Sequence, residues 1–185
     1  MIKEALKEAE AKMKTSLQAL EEDLSRIRTG RASPALVEKL PVEYYGTPTS
    51  LMQLASISVP EPRQLLIKPF DASSVKDIEK AILTSDLGLT PTNDGKAIRL
   101  NLPALTEDRR RDLVKVVQTR VEEARVSVRN IRRDAIKDMR EFEQEKLVGE
   151  DDLIRGEKEA QELTDKYIEE INEIGETKEK EIMEV

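Results

Sequence analysis

Nine basic side chains fall between residues 109 and 133 (Arg109, Arg110, Arg111, Lys115, Arg120, Arg125, Arg129, Arg132 and Arg133), against three acidic ones, Asp112, Glu122 and Glu123. Eight of the nine are arginine, whose planar, permanently charged fork donates in pairs to phosphate oxygens and stacks on bases. The rest of the chain is acidic: residues 134–185 hold 19 acidic against 8 basic, residues 1–108 hold 16 against 14, and the net charge is −7. A cationic strip on a chain that otherwise repels polyanions points to one anionic partner docked in one orientation. General adhesion to nucleic acid would need a basic chain overall.

Other chemistries drop out by composition. The 185 residues include no Cys and no His. That removes disulfides, thiolate nucleophiles and imidazole general bases, along with the commonest zinc ligands. An enzyme would have to use carboxylates, Lys or hydroxyls, and the one dense carboxylate run, Glu150-Asp151-Asp152, reads better as the acidic start of a helix. Asn93-Asp94-Gly95-Lys96 lacks the second glycine and the Ser/Thr of a phosphate-binding P-loop. No catalysis and no cofactor are expected. The charged N-terminus MIKEALKEAE is no secretory signal, and no apolar run approaches the ~20 residues that span a bilayer, so a cytosolic chain without membrane contact is expected.

The strip must be held by something long. Leu113, Val117, Val121, Ala124, Val128, Ile131, Ala135, Met139 and Phe142 recur in steps of four and three, the apolar stripe of one amphipathic helix. Thr106 is placed to cap it, with Glu107 and Asp108 in its first turn, and it should end near Lys146–Gly149. Two further helices show the same spacing. One spans 2–28 (Ile2, Leu6, Ala9, Met13, Leu17, Leu20, Leu24, Ile27) and is ended by Gly30. The other begins at 150 (Leu153, Ala160, Leu163, Tyr167, Ile171, Ile174, Ile182), with Gly156 and Gly175 expected to weaken it locally.

Between about Ala32 and Pro103 the texture changes, and all eight prolines (34, 41, 48, 60, 62, 69, 91 and 103) lie there. Short β-rich runs appear at 42–45, 55–59, 64–68 and 97–102. Asn93-Asp94-Gly95 signals a tight hairpin turn preceded by a strand near Leu89–Thr92. Residues 74–85 read as one short helix capped from Asp71–Ser74. Three long amphipathic helices must bury their stripes against one another. The reading is therefore α+β: a three-helix bundle formed by 1–30 and 105–185, with a small β/α/β domain, 31–104, inserted between helices one and two. Two chain crossings, Gly30-Arg31 and Pro103-Ala104-Leu105, join the parts. Such a joint can be a hinge or a rigid packed junction.

At 100° per residue and with Val128 at zero, Arg111, Lys115, Arg125, Arg129, Arg132 and Arg133 fall in a wedge of about 100° beside the apolar stripe. Only Glu122 among the acids shares it. These cations could instead pair with the acidic third helix across the bundle, as solvated charge runs often do. The segregation of sign along the wedge argues against that for the set. With three Tyr, two Phe and no Trp, aromatic platforms for single-stranded bases are scarce, so contact with folded RNA through phosphate and shape fits better. A helical scaffold that recruits partner helices, with idle arginines, is the competing reading.

RTGRASPAL (28–36), VEYYG (42–46), SDLGLTPTNDG (85–95), LTEDRRRDLVK (105–115) and VRNIRRDA (128–135) together resemble the bacterial ribosome recycling factor family, in order and spacing along essentially the whole chain. The resemblance implies an L-shaped, monomeric, non-enzymatic translation factor whose bundle is the long arm. It implies binding to the post-termination ribosome, contact with large-subunit ribosomal RNA, and splitting into subunits with elongation factor G, which hydrolyses GTP. The implied RNA contacts are Arg129, Arg132 and Arg133, with Arg28, Arg31, Arg110 and Arg111 as secondary candidates; Lys115 and Arg125 join them from the wedge. Gly30, Arg31, Pro103, Ala104 and Leu105 match the family's hinge.

Overall fold

In a computed structural model, residues 1–184 are described. The described residues divide into two compact units: residues 1–24 with 112–180, and residues 25–111 with 181–184.

The first unit is built from the greater part of three long helices, α1 (Ile2–Ser25), α4 (Glu107–Gln144) and α5 (Glu150–Met183), whose residues 25, 107–111 and 181–183 belong to the second. The apolar steps of four and three explain their packing. Leu6 and Ala9 of α1, Ala135 and Met139 of α4, and Ala160 of α5 form one shared core cluster. Met13, Val117, Val128 and Ile171 are also fully buried. Burying a side chain of this size stabilises by roughly 1.5–3 kcal/mol relative to exposure. α1 stops at Ser25 rather than running to residue 28. From Ser25 the chain belongs to the second unit, where the Arg28 guanidinium donates to the Pro103 carbonyl.

The two glycines of α5 do not interrupt it; the helix is continuous through both. A Cβ on Gly156 would lie 2.6 Å from the Met139 sulfur, and one on Gly175 would lie 2.7 Å from Val121 Cγ2. These glycines let α5 approach α4 closely, and that packing outweighs their poor helix propensity. α4 starts as its sequence predicts, with the Arg109 N–H donating to Thr106 Oγ1 at 3.1 Å. It ends where Lys146 enters the left-handed region (φ 59) and the Leu147 N–H reaches back to the Phe142 carbonyl at 2.9 Å, a six-to-one closure.

The second unit holds a hairpin, β1 (Pro41–Tyr44) with β2 (Thr47–Ser50), a single helical turn α2 (Leu51–Leu54), and a four-stranded antiparallel sheet. That sheet is β3 (Ala55–Glu61), β4 (Gln64–Pro69), β5 (Pro91–Asn93) and β6 (Ile98–Asn101), in the order β3-β4-β6-β5. Pro60 sits in the edge strand β3, where its missing N–H costs no ladder bond, and the β3–β4 register shifts beside it. α3 (Val75–Thr84) lies against β1 and β5, and its Val75, Ile78 and Ile82 join Leu65, Ile67, Ile98 and Leu100 in the core. The Asp71 carboxylate accepts from the Ser73 N–H at 3.0 Å, ahead of α3. The expected strand at 89–92 is displaced to Pro91–Asn93, because the turn closes on Asn93 and Asp94. There Asn93 Oδ1 accepts from Gly95 N–H at 2.6 Å, Asp94 Oδ1 from Lys96 and Ala97 at 2.9 and 2.8 Å, and Gly95 has φ 92.

Candidate nucleic-acid interface

Within the first unit, α4 carries Lys115, Arg125, Arg129, Arg132 and Arg133 along the flank of its buried stripe. Arg125 is the most anchored. Its Nε and Nη2 both donate to Asn172 Oδ1 of α5, at 2.8 and 2.6 Å, and its Nη1 to Glu122 Oε2 at 2.9 Å. Glu122 also accepts from Arg129 Nη1 at 3.5 Å. The hydrogen bond from Arg125 is the main reason its carboxyl is held below the ordinary range, so it stays charged. Arg132 Nη1 donates to Gln161 Oε1 at 2.8 Å, and Gln161 Nε2 donates in turn to Asp165 Oδ1 at 2.8 Å. Arg133 and Lys115 are exposed, and neither makes an ion pair among the described residues.

This arrangement answers the question of intramolecular pairing residue by residue. Glu122 shares its charge between Arg125 and Arg129. Across the bundle, however, the α5 partners of Arg125 and Arg132 are amides. An amide oxygen fixes a guanidinium in direction without neutralising it, and a single acceptor leaves most of the five N–H donors of Arg132 free. Arg120, on the other side of the helix, pairs with two acids, Asp23 of α1 at 3.3 Å and Glu123 at 3.4 Å. Among the described residues the wedge cations without an ion pair are therefore Lys115, Arg132 and Arg133, the last two adjacent.

A shallow cleft of about 690 Å³ opens at that point, lined by Arg132, Arg133, Lys137, Arg140 and Gln161 among others. Arg140 donates to Glu157 Oε1 at 2.8 Å. Lys137 and Arg140 were not singled out from sequence, because Asp134, Asp138 and Glu141 dilute the local charge count. The wheel carried past residue 133 would have found Arg140, which falls inside the same wedge.

The other sequence candidates lie in the second unit. Arg111 pairs with Glu107 at 2.7 Å, both well exposed, a contact worth little. Arg28 is half-buried and held by the Pro103 carbonyl. Its Nε and that of Arg110 are buried without a hydrogen-bond partner. The Arg31 N–H donates to Thr29 Oγ1 at 3.2 Å, and its side chain is exposed. Gly30, Arg31, Pro103, Ala104 and Leu105 all lie inside this unit. Ala32 N–H donates to the Pro62 carbonyl at 2.6 Å and Leu102 N–H to the Arg63 carbonyl at 2.8 Å, while Leu105 is buried. The strip of nine cations thus divides between two units. Among the described residues no group of acidic side chains is placed to hold a metal ion, and no helix is long and apolar enough to cross a membrane.

Comparison with known proteins gives one consistent result. The chain is 56% identical over 185 residues to the ribosome-recycling factor of Roseiflexus castenholzii and, at the same identity and length, to that of Halalkalibacterium halodurans, with full coverage of both sequences in each case. Among solved structures, a solution structure of ribosome recycling factor matches with TM-score 0.79 at 47% identity, covering 100% of this chain and 98% of that one. A second describes the Thermus thermophilus factor and the Escherichia coli elongation factor G bound to the E. coli post-termination complex. It matches with TM-score 0.68 at 44% identity and full coverage of both chains. The family profile described as ribosome recycling factor matches residues 20–183, and the chain belongs to the ribosome recycling factor family.

Proposed function

We propose that this protein binds the post-termination ribosome and, with elongation factor G and the GTP that factor hydrolyses, splits it into subunits. The observation that carries this reading is the α4 face, where arginines are aimed by neutral amides of α5 and left charged toward solvent. Such a face suits the phosphates of folded RNA. Family membership supplies the ribosome as its source.

In this reading Arg129, Arg132 and Arg133 contact large-subunit ribosomal RNA, with Lys115 and Arg125 beside them and Arg28, Arg31, Arg110 and Arg111 as secondary contacts. Residues 1–30 and 105–185 act as the RNA-binding body and 31–104 as the part on which elongation factor G acts. Gly30, Arg31, Pro103, Ala104 and Leu105 absorb the motion. The protein works in the cytoplasm as a cofactor-free monomer and performs no catalysis of its own. The test is light scattering of post-termination complexes with elongation factor G and GTP, run with and without this protein. Appearance of free subunits only in its presence supports the reading; unchanged scattering refutes it.

A further inference from the structure

The second unit contains a crowd of arginines that no carboxylate answers. Arg28, between α1 and the hairpin, sends its guanidinium to the Pro103 carbonyl. Pro103 follows Leu102, whose N–H is bonded to the Arg63 carbonyl in the β3–β4 turn. Three residues beyond Pro103, Thr106 caps α4 through the N–H of Arg109. These hydrogen bonds join the Arg28 side chain, the Arg63 backbone and the start of α4 that carries Arg109, three distant stretches of chain within one unit. Arg63 and Arg109 are exposed and Arg28 is half-buried, and among the described residues none of the three has an ion-pair partner. Glu107 of α4 is bound to Arg111.

Two signs show that this crowd is uncompensated in the free protein. The Nε–H groups of Arg28 and of the neighbouring Arg110 are buried and lack any acceptor, an uncommon state for a buried donor. Burial, and then the like charges of Arg109 and Arg63, also push the Arg28 guanidinium below its ordinary value. Folding has concentrated positive charge here without supplying an anion.

We propose that Arg28, Arg63 and Arg109 form a seat for one phosphate of an RNA backbone, separate from the α4 face and supplied in part by the small sheet through Arg63. Three guanidiniums from three segments can surround a tetrahedral anion, each donating to a different oxygen. The phosphate relieves their mutual repulsion. The identity of the phosphate as RNA rests on the function proposed above; the seat itself does not.

The test uses the full chain without ribosomes, at constant ionic strength. The arginine Nε–Hε NMR signals are followed during titration with inorganic pyrophosphate and, separately, with a short RNA duplex. The Arg28 signal should move saturably with both. Arg63→Gln and Arg109→Gln should each weaken pyrophosphate binding by about tenfold or more, the loss expected of one charge-assisted hydrogen bond. Each should also raise the melting temperature of the ligand-free chain by removing a repulsion. Lys80→Gln, on α3, is the charge-matched control and should do neither. Response to pyrophosphate but not to RNA would keep the phosphate seat and overturn its RNA source. Absence of saturation, or equal weakening by Lys80→Gln, would overturn the seat, and neither result bears on subunit splitting.

Discussion

Changing Gln161 to Glu would place a carboxylate where an amide oxygen now lies 2.8 Å from Arg132 Nη1. The new charge would turn toward Arg132, because Asp165, now 2.8 Å from the Gln161 amide nitrogen, would repel it at i,i+4. Arg132 would then be neutralised within the molecule without being removed. To reach a phosphate it would have to break an exposed ion pair, costing about 0.2–1 kcal/mol, or about 1.4- to 5-fold in affinity. The larger signature is in salt dependence. Each neutralised phosphate contributes about 0.7–0.9 to the log–log slope, so one contact accounts for about 2.6- to 3.5-fold of the affinity lost between 50 and 200 mM salt. Co-sedimentation with large ribosomal subunits across that range should show Gln161→Glu losing about one contact's worth of slope, as Arg132→Ala does. Gln161→Leu keeps the charge and loses only its aim, so its slope should match the wild type. If Gln161→Glu and Gln161→Leu gave the same slope as the wild type, the argument that amides preserve a functional charge at Arg132 would fail.

Gly175→Ala should destabilise by up to about 2 kcal/mol, since overpacking costs about 1–3 and improved helix propensity returns about 1. Its Cβ would lie 2.7 Å from Val121 Cγ2, a buried β-branched side chain with one favoured rotamer in a helix. In urea unfolding, Val121→Ala should partly rescue Gly175→Ala; strict additivity of the two would contradict the close approach. Tyr167 is buried and donates to Glu10 Oε1 at 3.0 Å, and burial first, then that bond, push its phenol up to about 12. The folded state thus holds the proton more tightly than the unfolded chain, where the value is about 10. This contribution is complete below pH 10 and is lost as pH rises from about 10 to about 12. Tyr167→Phe should therefore show a shallower loss of urea stability over that window than the wild type, and identical slopes would count against the assignment.

Much of the bundle could be read from the chain because each long helix repeats its apolar step many times, so a single misplaced residue does not mask the period. The small sheet was less legible for local reasons. β2 contains Pro48 and follows a turn formed by Tyr45 and Gly46, both at positive φ (49 and 78). That is the type I′ geometry usually signalled by Asn-Gly, and a tyrosine in its first position hides it. Gly156 and Gly175 read as weak points because propensity is a local quantity, whereas their use, close contact with Met139 and Val121, depends on the register of two helices. The same holds at the interface. The wheel placed Arg129, Arg132 and Arg133 on one flank. Only the packed register of α4 against α5 reveals that Arg125 meets Asn172 and Arg132 meets Gln161, whereas Arg140 meets Glu157. The arginine crowd of the second unit was still harder to see, since hydrogen bonds between distant segments join the stretches that carry Arg28, Arg63 and Arg109.

Docking through one face is tested most directly by two triple variants that remove the same charge from opposite settings. In Arg129→Gln/Arg132→Gln/Arg133→Gln the α4 face is neutralised. In Lys7→Gln/Lys12→Gln/Lys14→Gln three exposed cations of α1 are removed. Binding to large ribosomal subunits should fall steeply for the α4 variant, with the salt slope reduced by about two to three, while the α1 variant stays close to the wild type. Equal losses in the two variants, or an α4 variant that binds like the wild type, would contradict a docking site on the arginine face.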